Sequence, residues 1–137
     1  MPARAKIREY TVGLDRDGQL RAEGDGSLEL EGPWTPEHLV LAALAACSVA
    51  SLGYHARRAN LELAARASAS GVVAPREEDD RYAFVQVECR VDAELDPLPA
   101  GEELATLLAK AERGCFVGAS LTAKPRYRWV VNGQDVQ

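Results

Sequence analysis

Aromatic residues are scarce in this sequence, 6% of 137 residues, and histidines number two. Its three cysteines and two histidines form none of the close Cys-x-x-Cys or His-x₃₋₅-His pairs that build zinc sites, so a metal centre is not expected. Basic residues are outnumbered, 16 Lys and Arg against 21 Asp and Glu, for a net charge of −5. No basic stripe matches a phosphate backbone, which disfavours nucleic acid as a partner. Gly-rich phosphate loops and a Gly-x-Ser-x-Gly elbow are also missing. The first ten residues carry Arg4, Lys6, Arg8 and Glu9 in place of the apolar core of a secretory signal, which points to the cytoplasm. The longest apolar run, Leu39 to Tyr54, falls short of the roughly 20 residues of a bilayer crossing, so no membrane partner is expected.

What is present suits one globular domain over residues 1–137: 47% hydrophobic and 27% charged residues, in a chain long enough to bury roughly two-thirds of its unfolded surface. Such a core needs no disulfide staples, and in a reducing compartment three cysteines are read as thiols.

The run from Leu39 reads as a buried helix over about residues 36–59. Thr35 can cap it, Pro36 suits the first helical position, and Glu37 favours the positive end of the dipole. Leu104, Leu107, Leu108 and Ala111 mark a second helix, with Gly114 placed to stop it in the left-handed conformation and a short turn beginning near Cys115. Strands are expected from three alternating sets: Tyr10, Val12 and Leu14; Val85, Val87, Cys89 and Val91; and Tyr127, Trp129 and Val131. Asp15 to Gly18 and Asp25-Gly26 are turns of an N-terminal meander, and Arg76 to Arg81 reads as a solvated loop. Strands, helix, strands, helix, strand is an α+β order with antiparallel sheet.

Cys47 within the apolar helix is, taken alone, a packed small hydrophobe, and Cys89 shares the inward phase of its valines. Cys115 follows a helix stop, where backbone N–H groups of a new turn can lower a thiol pKa. His55 lies eight residues beyond Cys47, about 12 Å along a helix, which makes a Cys-His pair unpromising. Glu37 and Cys47 are ten residues apart, about 15 Å of helical rise. If both serve one site, either antiparallel helices of a two-fold dimer or a chain reversal near Thr35-Pro36 must bring them together.

Thr35-Pro36-Glu37-His38-Leu39 leading into Ala42-Ala43-Leu44-Ala45-Ala46-Cys47, followed by Gly114-Cys115-Phe116-Val117-Gly118, resembles the OsmC/Ohr family of thiol-dependent peroxidases. The resemblance runs from about residue 7 to residue 131. It implies an antiparallel sheet wrapped around a long central helix, in an intertwined homodimer with active sites at the interface. It makes Cys47 the peroxidatic thiol, Cys115 the resolving thiol, Glu37 the helix-opening carboxylate and Arg16, in an Arg-Asp-Gly turn, the partner of the thiolate, with Arg21 as the alternative arginine. The resolving region reads Cys-Phe-Val-Gly where the organic hydroperoxide subgroup has Cys-Pro-Tyr-Ser, so the resemblance holds for the family and not for that subgroup.

The activity so implied is reduction of organic, lipid-like hydroperoxides to alcohols, with Val40, Leu44, Trp34 and Phe116 offering an alkyl pocket. No bound metal, haem or flavin is expected, since cysteine oxidation supplies the two electrons. An external dithiol, for which the resemblance suggests a lipoylated protein, reduces the resulting disulfide. The competing reading is a non-enzymatic, small-ligand-binding or stress-associated dimer of the same fold.

Overall fold

The computed structural model describes residues 6–136. The chain divides between Thr35 and Pro36 into two compact units. In the first, β1 (Val12–Leu14), β2 (Gln19–Ala22) and β3 (Ser27–Glu29) form an antiparallel meander in the order β1-β2-β3. The expected turn at Asp15 is built by its own side chain, whose Oδ1 accepts from the amides of Asp17 (3.0 Å) and Gln19 (3.1 Å). The β2–β3 connection places Glu23 and Gly24 at positive φ. Thr11 donates its amide and its hydroxyl to the Glu23 carboxylate, each at 2.9 Å, and these bonds hold that carboxyl below its ordinary pKa.

The second unit begins with α1 (Pro36–Arg58), the helix that the capping signals and the apolar run predict. Its buried residues, Leu44, Ser48, Ser51, Leu52, Gly53 and Ala56, share one face, packed against β4 (Glu62–Pro75), β5 (Tyr82–Asp96) and α2 (Gly101–Arg113). Leu44 and Leu52 are fully buried, each contributing about 1.5–3 kcal/mol of apolar transfer. At 23 residues α1 is long and apolar enough, by length and composition, to cross a bilayer. That corrects the length argument based on Leu39 to Tyr54; a core helix passes the same test, and the buried face of α1 meets the sheet.

The sheet runs β4-β5-β6-β7, with β6 at Arg126–Val131 and β7 at Gln134–Val136. The α+β class is as read from the sequence, and one pairing departs from antiparallel: β5 and β6 are parallel, because α2 and α3 (Phe116–Ser120) form the crossover between them. Val87, Cys89, Val91, Ala93 and Leu95 of β5 all face the core, as expected for Cys89. Val85 does not. Val72 pairs with Gln86 but Val73 with Phe84, so Val85 is the extra residue of a bulge, its phase is lost, and it is 39% exposed.

Gly114 ends α2 with φ −85°, which corrects the left-handed stop. Glycine is needed there for closeness: an added Cβ would stand 2.9 Å from Ser51 Oγ and 3.2 Å from the Lys110 carbonyl oxygen. Trp129 ties β6 to α2 by donating its indole N–H to Glu112 Oε1 at 2.7 Å. The loop after β4 is exposed from Glu77 to Arg81, as predicted, and Arg76 pairs with Asp79 inside it.

The β6–β7 hairpin turns on Asn132-Gly133, both at positive φ, the signature of a type I′ turn that the sequence reading passes over. Asn132 also clamps the neighbouring strand: Leu95 N–H donates to Oδ1 at 2.8 Å and Nδ2 donates to the Leu95 carbonyl at 3.1 Å. Asn132→Ala removes both bonds and puts alanine at φ 48°, so unfolding free energy should fall by about 2–3 kcal/mol, as measured by urea titration.

Candidate active site

Cys47 sits near the middle of α1, on the border between its buried face and its exposed one, and is half-buried. Cys115 is fully buried at the N-cap of α3, as the short turn predicted after Gly114 requires. Its Sγ accepts from the Gly118 amide at 3.4 Å. The crossover between β5 and β6 carries α3 back over α1, which makes the two thiols, 68 residues apart in sequence by their numbering, neighbours whose titrations are felt by each other.

Around Cys115 the core is polar. Ser48, one residue after Cys47, places its Oγ 3.7 Å from Cys115 Sγ, donates to the Leu44 carbonyl at 2.8 Å, and accepts from the Cys89 thiol at 3.5 Å. The Tyr127 hydroxyl also lies beside Cys115 and lowers its pKa. It lies so close to Gly118 that any Cβ there would overlap it. Tyr127 pairs in register with Cys89 on the neighbouring strand, and its ring stacks on that of Trp129 with centroids 6.0 Å apart. Every buried side-chain nitrogen or oxygen among the described residues has a partner.

The electrostatics of the pair are unequal. Burial pushes the Cys115 thiol up, but the Gly118 amide, the Tyr127 and Ser48 hydroxyls and the Cys47 thiol outweigh it and bring the pKa below the ordinary value. Cys47 moves the other way: burial and its Cys115 neighbour raise it, against the backbone amides of Val117 and Phe116. Burial raises Cys89 as well, with Ser48 opposing. Tyr127 is held far above a free phenol by burial first and then by Cys115. The surroundings therefore favour the thiolate at Cys115 and the thiol at Cys47.

Of the site residues read from the sequence, Cys47 and Cys115 come together. Glu37 is in the first turn of the same continuous helix, exposed, about 15 Å of rise from Cys47. Arg16 belongs to the first unit, in the exposed turn between β1 and β2, without an ion pair among the described residues. Arg21, the alternative, is engaged: it faces Asp15 at 3.5 Å and donates to Gln19 Oε1 at 3.0 Å. The expected alkyl pocket loses Leu44, which is fully buried in the core because it lies on the sheet-facing side of α1. Phe116 is 59% exposed and Val40 is half-buried, while Trp34 belongs to the first unit. A cleft of about 540 Å³ between the end of α1 and α2 is lined by His55, Arg58, Glu102, Glu103 and Lys110 among others, and by no cysteine.

The sequence reading does not single out Ser48 or Tyr127 as a site residue. A hydroxyl following Cys47 in an alanine-rich run is a weak local signal for Ser48. Tyr127 has none, since β6 reaches Cys115 by a pairing distant in sequence.

The OsmC-like protein family model matches residues 24–129, which include Glu37, Cys47 and Cys115. No curated protein sequence matches the chain significantly. Among solved structures, an OsmC-like protein of unknown function from Vibrio cholerae is 13% identical with a TM-score of 0.73, covering 90% of this chain and 100% of its own. An organic hydroperoxide resistance protein from Elizabethkingia anophelis is 19% identical with a TM-score of 0.62, covering 92% and 96%. The organic hydroperoxide resistance protein OhrB of Bacillus subtilis is 18% identical with a TM-score of 0.55, covering 90% and 96%. At these identities the structures speak for the fold, and the family model spans more than half of the chain: the protein belongs to the OsmC-like family.

Proposed function

We propose that the protein is a cysteine-based peroxidase that reduces organic hydroperoxides to alcohols. The observation that carries this reading is a half-buried Cys47 that neighbours a fully buried Cys115. Cys47 is the sulfur that a hydroperoxide can meet, and Cys115 is the sulfur kept from it. Names of structural neighbours, two of them organic hydroperoxide resistance proteins, support the substrate class.

In this reaction the Cys47 thiolate attacks the distal oxygen of ROOH, the O–O bond breaks, and ROH leaves after taking a proton. Cys47 is then a sulfenic acid, oxidised by two electrons. The Cys115 thiolate attacks the Cys47 sulfur and forms the disulfide, and the sulfenic oxygen leaves as hydroxide that takes a proton from solvent to become water. An external dithiol returns both residues to thiols as it is itself oxidised to a disulfide. Loss of the Cys47 proton is helped by the amides of Val117 and Phe116, and a guanidinium beside the sulfur would help it further. We assign that guanidinium to Arg16, which no carboxylate among the described residues holds, and its orientation to Glu37 in a homodimer. The exposed face of α1 supports the dimer, since Ala42, Ala43, Ala46, Ala50 and Tyr54 leave it apolar and mostly small.

Loss of cumene hydroperoxide in the presence of dithiothreitol tests the assignment. Arg16→Ala should slow oxidation of Cys47 about tenfold or more, the worth of one charge-assisted hydrogen bond, and Arg21→Ala should leave it near the wild-type rate. The reverse result would transfer the role to Arg21.

A further inference from the structure

We propose that the Tyr127 hydroxyl and the Gly118 amide are positioning groups that take up the negative charge released on Cys115 when the Cys47–Cys115 disulfide is reduced, so that the external thiol is directed to Cys47. The proposal rests on the disulfide of the preceding reading and adds the direction of its reduction.

Three features of geometry converge on Cys115 Sγ. The Gly118 amide points at it from within α3, at 3.4 Å. The Tyr127 hydroxyl comes to the same place: a Cβ at position 118 would stand 3.5 Å from Cys115 Sγ and would overlap the hydroxyl. Stacking on Trp129, itself fixed by Glu112, keeps the tyrosine ring in place. These groups are held by the core around the free Cys115 thiol, in place before any charge develops on it.

Ser48 is the adjustable member. Its single proton is committed to the Leu44 carbonyl at 2.8 Å, while its oxygen accepts from Cys89 and lies 3.7 Å from Cys115. It can serve Cys115 by turning that proton from the carbonyl to the sulfur. The titratable groups facing Cys115 are thus Cys47 from α1, Cys89 from β5 and Tyr127 from β6, with His55 of α1 beyond Gly114. Both Cys89 and Tyr127 stay protonated through the neutral range, because burial raises each of them.

Disulfide exchange is faster when the leaving thiol is the more acidic one. Attack by an external thiolate on Cys47 Sγ forms a mixed disulfide there and breaks the S–S bond, with the electron pair departing on Cys115. The second thiol of the dithiol then displaces Cys47 and completes the reduction. Attack at Cys115 would leave the charge on Cys47, the less acidic sulfur, and would require entry to a fully buried atom. Acidity and access select the same sulfur.

The test uses full-length protein labelled with ¹³Cβ-cysteine. In the reduced state the Cys115 resonance should titrate below those of Cys47 and Cys89, and Tyr127→Phe should move it upward more than Ser48→Ala does. On protein oxidised with diamide, a monothiol such as glutathione should be trapped on Cys47, and Tyr127→Phe should slow reduction by dithiothreitol about tenfold. Glutathione on Cys115, or a Cys115 titration at or above that of Cys47, would overturn the proposal, and both are read on the wild-type protein. So would a folded Tyr127→Phe variant with unchanged titration and reduction rate. Because diamide forms the disulfide without a peroxide, failure of hydroperoxide turnover would strike the peroxidase reading alone.

Discussion

Cys47→Ser is expected to bring hydroperoxide turnover down to the uncatalysed rate, a loss on the order of a thousandfold or more, with little change in folding stability. A serine hydroxyl at neutral pH is neither ionised nor able to form a stable oxidised acid, so the first step has no nucleophile. The stability cost is small because Cys47 is half-buried at the edge of the packed face, and serine is close to it in size. Turnover with cumene hydroperoxide and a thermal melt, taken on the same preparation, check both halves. A protein that merely binds a small apolar ligand in this fold would keep its affinity through the same substitution. Unchanged turnover would end the assignment of Cys47 as the nucleophile, and absence of turnover in the wild-type protein would end the enzymatic reading.

The second large effect is expected from Gly118→Ala. A methyl group there would overlap the Tyr127 hydroxyl and stand 3.5 Å from both Cys115 Sγ and Pro125 Cγ. Moving the tyrosine aside would also disturb its stacking on the Trp129 ring, which lies within 13° of parallel to it. Overpacking of this kind destabilises by about 1–3 kcal/mol. For a chain of this length that lowers Tm by roughly 4–12 °C, readable by differential scanning calorimetry. The Cys115 titration should also rise, because displacing the hydroxyl removes one of the donors that hold it down. Ser120→Ala is the control: its hydroxyl donates to the Phe116 carbonyl on the exposed side of the same short helix, and neither Tm nor the Cys115 titration should change much.

Local signals carry a large part of this structure. Pro36 and Glu37 open α1 where the sequence places them, the Leu104, Leu107, Leu108 and Ala111 stripe becomes α2, and Cys115 begins a new turn. The departures come from pairings between distant residues. Alternation puts Val85 in phase with Val87, but the bulge opposite Val72 and Val73 removes it from the core, and no local pattern announces that irregularity. The parallel β5–β6 pairing depends on α2 and α3 acting together as one crossover. Asn132-Gly133 is a miss of a different kind, since that dipeptide is a strong hairpin signal in its own right.

The candidate site divides the same way. Cys47 and Cys115 are identifiable from their neighbours in the chain, and the fold brings them into contact. The sequence anticipates turn amides that can lower the Cys115 pKa, but not the hydroxyls that add to the unequal acidity of the two sulfurs. That inequality follows from Ser48, Tyr127 and the Gly118 amide, which meet Cys115 from three different elements. It also separates two tasks: Cys47 meets solvent, and Cys115 holds charge in the interior.

The central claim is that Cys47 and Cys115 form one redox pair. Its most direct test is intact mass and peptide mapping of the fully reduced protein after one equivalent of cumene hydroperoxide, with hydrogen peroxide in parallel. A Cys47–Cys115 disulfide, formed faster with the organic peroxide, and a free Cys89 are expected. Both thiols remaining reduced, or oxidation confined to Cys89, would contradict it.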